Sequence, residues 1–375
     1  FYGNNQYSRA LSDIDNAIKY TPDNEADLLS QEYALRSNIY SMLDKPQQAL
    51  DDIKSAITHD PTSYALIYQK ANLELQLGNL ADAKEDFRKL GRMRNRSVES
   101  LIGLSQVAVG ERNFGQAKEY IDQAVSFVAN DPDIYLRRAE ILKTLDDNNA
   151  AADDIIVALS LEQNGSKAMT ALFDFSKTNY NSVIAALSRA INEAPDNGLF
   201  YYVRASVEQA HYHYVAAIND YRTILDKGLY KFPGINAALA ECYYYLCDYD
   251  TATTEINYAI TATSSPRPDY TLTLSRIQLA QNEAAKALGT ILTDATATDL
   301  NVSVPALSQK ALCLVALNQF VDASTAYGEL IMDQPHNPEY LINRAWTIIQ
   351  AKNKGDYKSF LNNAVALQFE ANDIN

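Results

Sequence analysis

One pattern recurs along this chain at a nearly fixed step, and it leaves few folds open. A small residue is followed four places on by a large apolar one. Three places later comes another small or apolar residue, often with a proline five further on. Ala10, Ile14, Ala17 and Pro22 are the first copy, and Ala49, Ile53, Ala56 and Pro61 the second. Ala83, Phe87, Leu90; Ala117, Ile121, Ala124; Ala151, Ile155, Ala158; and Val183, Leu187, Ala190 continue the series. Ala217, Tyr221, Ile224; Ala252, Ile256, Ala259; and Ala323, Tyr327, Leu330 follow. From Ala49 to Ala151 the step is 34 residues each time.

A spacing of four and then three marks one face of a helix. The small residue lets a neighbouring helix approach, and the proline ends the unit. Upstream of each copy lies a second helical face, such as Tyr33, Arg36, Ser37, Tyr40 or Tyr135, Arg138, Ala139, Leu142. Short turns such as Leu77-Gly78-Asn79 separate the two. Each unit is therefore a helix–turn–helix that cannot cover its own apolar face and must stack on its neighbours.

This period and these hairpins resemble the tetratricopeptide repeat. The resemblance covers nearly the whole chain and implies an all-α solenoid, a right-handed superhelix of about ten or eleven repeats. Residues 1–22 read as a partial first repeat, 30–163 and 198–264 as regular repeats, and 164–197 as an irregular one with a poor first helix. Residues 265–303 read as a degenerate repeat with an enlarged loop over 293–304, and 304–375 as the final repeats, with Tyr357 where a small residue belongs. The chain opens on Phe1 inside a first helix, so the expectation is a longer array with an upstream segment removed, the alternative being a native start nearby with the half-unit as a cap; an exported bacterial protein fits the first, and a cytoplasmic one is the alternative.

Comparing the units shows a recurring charge pair. Arg36, Lys70, Arg138 and Arg204 stand at the seventh place of their units, and Asp52, Asp86, Asp154 and Asp220 stand sixteen residues later. Units without the basic residue lack the aspartate: Leu104 goes with Tyr120, Thr170 with Ala186, and Leu239 with Glu255, which is acidic but is expected to have no basic partner. Lys310 and Arg344 depart from the rule, facing Ala326 and Phe360. These pairs are expected to tie the two helices of a hairpin, half-buried, fixing register more than adding stability.

The resemblance also implies a groove lined by the first helices, where a protein or peptide partner binds. Its places fall on Asn38, Tyr68, Asn72, Leu75, Gln106, Phe175, Tyr202, Tyr244, Tyr245 and Trp346, with Leu136, Leu172, Leu199, Leu312, Ile342 and Ile349 beside them. Aromatic and amide side chains outnumber charges there, which favours peptide binding through buried area and polar tips. Some family members grip a partner's terminal carboxylates with lysine and asparagine. Asn38 and Asn72 match the asparagine place, but Ala34 and Tyr68 hold the lysine places, so that clamp is unsupported. Self-association through terminal repeats is the alternative.

Other classes find little support. A formal net charge of −15 opposes a nucleic-acid partner. No run of eighteen apolar residues exists, so no membrane-inserted helix is expected. His211 and His213 fall in a turn with no third ligand nearby in sequence. Cys242 and Cys313 stand at a core place, and Cys247 follows in a turn. Phosphate-loop, nucleophile-elbow and zinc-protease motifs are all missing from the sequence, so neither cofactor nor metal nor enzymatic activity is implied.

Overall fold

The computed structural model describes residues 6–93, 97–162, 166–229, 234–293, 303–352 and 357–372. Twenty helices lie among them. After α1 (Tyr7–Tyr20), they pair as α2 (Ala26–Met42) with α3 (Pro46–His59), α4 (Tyr64–Gln76) with α5 (Leu80–Met93), α6 (Val98–Gly110) with α7 (Phe114–Phe127), and α8 (Pro132–Thr144) with α9 (Asn148–Leu161). A single long helix, α10 (Ser166–Glu193), follows. Then come α11 (Gly198–Ala210) with α12 (Tyr214–Lys227), α13 (Ile235–Tyr245) with α14 (Tyr249–Ala262), and α15 (Pro268–Ala280) with α16 (Ala284–Thr293). The last pairs are α17 (Val304–Ala316) with α18 (Phe320–Asp333), and α19 (Pro338–Gln350) with α20 (Tyr357–Asn372). Contacts divide the chain, read from sequence as one array, into two units, Phe1–Glu193 and Ala194–Asn375. None of the described helices is long and apolar enough to cross a membrane.

The turn inside each hairpin is built one way. Asp44, Gly78, Arg112, Asp146, Tyr212, Cys247, Asn282, Asn318 and Lys352 all have φ between 52° and 79°. The left-handed residue lets the next N–H reach back to a carbonyl five residues earlier: Asn79 to Glu74 at 2.8 Å, Asn113 to Ala108 at 2.8 Å, Asp147 to Leu142 at 2.9 Å. This satisfies a carbonyl that the helix end leaves open. The same residue then caps the second helix, as Asn113 Oδ1 accepts from the Gln116 N–H at 3.2 Å and Asp147 Oδ1 from the Ala150 N–H at 3.3 Å.

The helices of a hairpin run antiparallel, because their contacts recede in opposite directions: Ser37 Oγ donates to the Ala49 carbonyl at 2.8 Å, and Ser30 Oγ to that of Ala56 at 3.1 Å. The repeated small and apolar residues form the interior: Ala49, Ile53, Ala56, Ala83, Phe87, Leu90, Ala117, Ile121 and Ala124 are all fully buried. Burial of each large one contributes about 1.5–3 kcal/mol. Close approach has its own requirement at Gly103, where a Cβ would lie 2.2 Å from the Phe87 ring.

Two stretches differ from the sequence reading. The first helix of the irregular repeat is well formed, not poor. Ala151 and Val183 are 32 residues apart, two fewer than usual, and the shortfall lies in the turn. No left-handed residue occurs there; α10 runs through with one non-helical residue, Asn179, at φ −128°. Counting back from the second helix therefore places the first helix two residues out of register. The stretch read as degenerate forms a regular hairpin. Asn282 makes its left-handed turn, Ser275 Oγ donates to the Ala287 carbonyl at 2.9 Å, and Ala287 and Ile291 are buried. The regular spacing had been obscured because Thr273, Ser275 and Gln278 are polar residues on the buried face. Most of the enlarged loop, 294–302, lies outside the described residues.

The charge pairs have the following geometry. Arg36 gives Nε and Nη2 to Asp52 at 2.8 and 2.7 Å, Arg138 gives both to Asp154 at 2.7 Å, and Arg204 both to Asp220 at 2.7 Å. Lys70 reaches Asp86 at 2.8 Å and Glu74 at 3.2 Å. Arg36 also reaches Asp15 at 2.7 Å, and Arg138 reaches Asp122 at 3.1 Å, so these two arginines link a hairpin to the helix before it. The hydrogen bonds that Arg138 donates to Asp154 hold its guanidinium above the ordinary value. Glu255 does have a basic partner: Arg222 of α12 meets it at 2.5 Å, and Asn236 donates to its other oxygen at 2.6 Å. Arg344 lies over the Phe360 ring at 4.6 Å in place of an aspartate, in space that Gly328 leaves open.

Two stability outcomes follow from turn and pair. Gly78→Ala loses about 1 kcal/mol, all of it conformational since nothing lies within 4 Å of the added Cβ, whereas Arg112→Gly gains about 0.5–1 kcal/mol. Urea unfolding followed by circular dichroism checks both signs. Asp154→Ala costs about 2–3 kcal/mol, less than for a fully buried pair because Arg138 keeps an exposed edge. Arg138→Met with Asp154→Leu recovers most of that loss, and a double-mutant cycle reads it.

Candidate functional site

In a hairpin the second helix and the neighbouring unit cover most of the first helix and leave one stripe open. Asn38, Tyr68, Asn72, Leu75, Gln106, Tyr202 and Tyr244 are partly exposed on this stripe, and Tyr245 and Trp346 are open, at 55% and 43%. Phe175 is not on it. It is 3% exposed, and Leu172 beside it is wholly buried. Both were read two residues out of register, and Phe175 takes the core place that Val107, Ile141 and Cys242 hold elsewhere.

Several of these side chains are already engaged. Gln69 Nε2 donates to Asn38 Oδ1 at 2.7 Å, joining α2 to α4, and Asn72 Nδ2 donates to the Tyr68 carbonyl at 2.8 Å. Tyr68 meets Phe87 edge-on at 6.3 Å, and Tyr202 lies 6.2 Å from Tyr221. What remains open differs between the two units of the chain.

In Phe1–Glu193, two clefts adjoin. One, of about 410 Å³ between α6 and α8, has a floor of Ile102, Phe114, Ile121 and Ile141 and a rim of Gln106, Arg137 and Glu140. The other, of about 360 Å³ between α8 and α10, is lined by Leu136, Ile155 and Ala171 and shares Arg137 and Glu140 with the first. Lys167 pairs with Asp133 at 3.1 Å on its far edge, and Lys143 with Glu140 at 2.9 Å. The result is an apolar strip with a polar border, the usual make-up of a recognition surface.

In Ala194–Asn375, Leu312, Ile342, Trp346 and Ile349 are exposed on α17 and α19. Glu241, Tyr244, Tyr245, Thr273 and Arg276 enclose a pocket of about 190 Å³ between α13 and α15. A larger hollow of about 500 Å³ lies at the α14–α15 connection, away from the first-helix stripe, and its one charged group, Arg267, is taken by Asp269 at 2.7 Å.

Among the described residues there is no group of three histidines, cysteines or carboxylates placed to hold a metal. His213 Nδ1 lies 2.9 Å from the buried carboxylate of Glu208. Burial pushes the Cys242 thiol up to about 12 and raises that of Cys313, so both behave as core residues.

First helices of 13 residues and second helices of 14 alternate through α4–α9, α11–α12 and α17–α18, joined by the same left-handed turn. The fold is the tetratricopeptide repeat (TPR). Solved structures similar to the chain include a tetratricopeptide repeat protein from Parabacteroides merdae, with 13% identity, 67% of this chain and 99% of that one covered, and a TM-score of 0.36. YrrB, a TPR protein with an unusual peptide-binding site, has 18% identity over 49% of this chain and 92% of its own, at a TM-score of 0.39. Yeast Tom70 has 14% identity over 99% and 94%, at 0.40. At this level of similarity nothing about ligand or partner carries over. No protein-family model and no curated protein matches the sequence.

Sequence reasoning missed Glu241, one of the best-prepared polar groups of the TPR stripe. Gln209 Nε2 donates to its Oε2 at 2.9 Å, and Tyr221 OH donates to Gln209 Oε1 at 3.1 Å. Glu241 stands four residues before Tyr245, so the helical spacing was the available signal. Burial raises its carboxyl above the ordinary value, against the charge of Arg276 and the Gln209 bond. It therefore favours the folded state below the unfolded value of about 4.3, and that contribution is lost as pH rises through the raised folded value. Glu241→Gln should lessen the fall in stability as pH rises above the ordinary glutamate value of about 4.3, read as urea midpoints across a pH series.

Proposed function

We propose that this TPR chain is a non-catalytic scaffold that binds an extended segment of a partner protein along the first-helix strip of α6, α8 and α10. The observation that supports this reading is the pair of adjoining clefts that share Arg137 and Glu140. Together they offer two apolar seats with a charged divider, which suits a linear segment with alternate side chains buried. Binding energy at such surfaces concentrates in a few central apolar contacts, with rim charges tuning rate and specificity.

The test is selection of displayed random peptides on the full chain, followed by affinity measurement on variants. Ile102→Asp should weaken the selected peptides by about tenfold or more, and Arg137→Ala by a smaller factor. Trp346→Ala, in the other unit, should leave them unchanged. Equal affinities for wild type and Ile102→Asp, both shown folded by circular dichroism, would overturn the reading. A second reading, self-association through the last hairpins, draws on the exposure of Met332 at 85% and Val365 at 51%. Light scattering across a concentration series would show it as a rising mass.

A further inference from the structure

The chain makes one side-chain arrangement four times with its own arginines. Arg36 lies over Tyr33 at 5.4 Å while bonded to Asp52, Arg138 over Tyr135 at 5.5 Å while bonded to Asp154, and Arg204 over Tyr201 at 6.0 Å while bonded to Asp220. Arg222 lies over Tyr243 at 5.8 Å while bonded to Glu255. In each case a guanidinium meets a tyrosine ring and a carboxylate that is at most 6% exposed. A planar, weakly hydrated cation suits both partners at once.

The pocket between α13 and α15 has the carboxylate and the rings of that arrangement with no cation bonded to the carboxylate, since Arg276, which also lines it, acts on Glu241 only through its charge. Glu241 is held in place by Gln209, which in turn is held by the buried Tyr221. One oxygen is thereby engaged and the other is left for a ligand. Tyr244 and Tyr245 form the wall, Tyr245 itself stacked on Tyr214 at 4.9 Å with an interplanar angle of 6°. Arg276 lines the same pocket, exposed, and makes no ion pair or hydrogen bond among the described residues. At about 190 Å³ the space suits one side chain and is below the usual size of a small-molecule site. A chain of net charge −15 also draws basic partners toward it.

We propose that the Glu241–Tyr244–Tyr245 pocket takes an arginine side chain of the partner. This rests on the reading of the chain as a partner-binding scaffold and adds a second, chemically distinct contact to it. The incoming guanidinium pairs with the free oxygen of Glu241 and lies against the tyrosine wall. Arg276 opposes it as a like charge and limits its affinity.

The test uses three acetylated, amidated tripeptides, Gly-Arg-Gly and its lysine and citrulline counterparts, titrated into the full chain and followed by NMR shifts and tyrosine fluorescence. The arginine peptide should bind saturably, and the citrulline peptide, neutral but nearly the same shape, about tenfold more weakly or worse. Glu241→Gln should weaken the arginine peptide by a similar factor, Tyr245→Ala by about threefold or more, and Arg276→Ala should strengthen it severalfold. Arginine-peptide binding that Glu241→Gln leaves unchanged, or that Arg276→Ala weakens, overturns the proposal, as does equal binding of the arginine and citrulline peptides. Absence of saturable binding to the folded chain overturns it too. Peptides selected on the α6–α8 cleft should bind Glu241→Gln as they bind wild type, so failure here and failure of the scaffold reading are separate results.

Discussion

The N–H that reaches back to a carbonyl five residues earlier, across one left-handed residue, is the constraint from which the hairpins follow. It ends the first helix with its last carbonyls satisfied and turns the chain through a fixed path. It also places the residue that precedes the second helix, Asn113 and Asp147 among them, where it can cap that helix. Once that path is fixed, the small residue twelve places after the first helix's own small residue must face it, as Ala49 faces Ser37 and Ala287 faces Ser275. The long helix α10 shows the converse. With two residues fewer, the left-handed residue is lost and the chain bends only at Asn179, yet Val183 and Leu187 still bury themselves completely. Packing of the small and apolar residues tolerates loss of the turn; the turn sets register where it is present.

The charge clusters make the same point electrostatically. Three places contribute: the seventh and twenty-third of a unit, and the twenty-fifth of the unit before. Arg138 takes the first, Asp154 the second and Asp122 the third. In the unit of α13 and α14 the seventh place is Leu239, and the cation has moved to the third place as Arg222, while Glu255 keeps the second. The carboxylate stays and its partner approaches from either neighbouring helix. A buried carboxylate is costly unless paired, whereas the direction from which its partner arrives is free. That asymmetry explains why comparing only the seventh and twenty-third places finds four pairs and leaves Glu255 without a partner.

How legible the chain was depended on the kind of information. The helices, their order and the buried small residues were plain, because a period of 34 repeats one helical face many times over. The hairpin of α15 and α16 was obscured because Ser275 replaces alanine, although a serine that donates to the facing carbonyl fills the same role. Phe175 was misplaced because a deletion in a turn shifts everything counted across it. The left-handed residues were illegible by composition: only Gly78 among the nine is glycine. Their position was nonetheless recoverable, since they recur with the period whatever the side chain.

The candidate site was the least legible part, and for a physical reason. Places that form the interior are constrained by volume, so a departure from pattern is conspicuous. Places on the open stripe need only avoid disturbing the hairpin, and nearly any side chain does. Glu241 is visible as a prepared group only through Gln209 and Tyr221, which lie 32 and 20 residues before it, in the preceding hairpin. Two neighbouring hairpins must stack before those three groups meet. Fold information in such an array is local to each unit and repeats; recognition information is held between units and does not. A repeat signature alone therefore identifies the scaffold and says little about what it holds, whereas a polar group oriented from the neighbouring hairpin is where the chain departs from its own repeat.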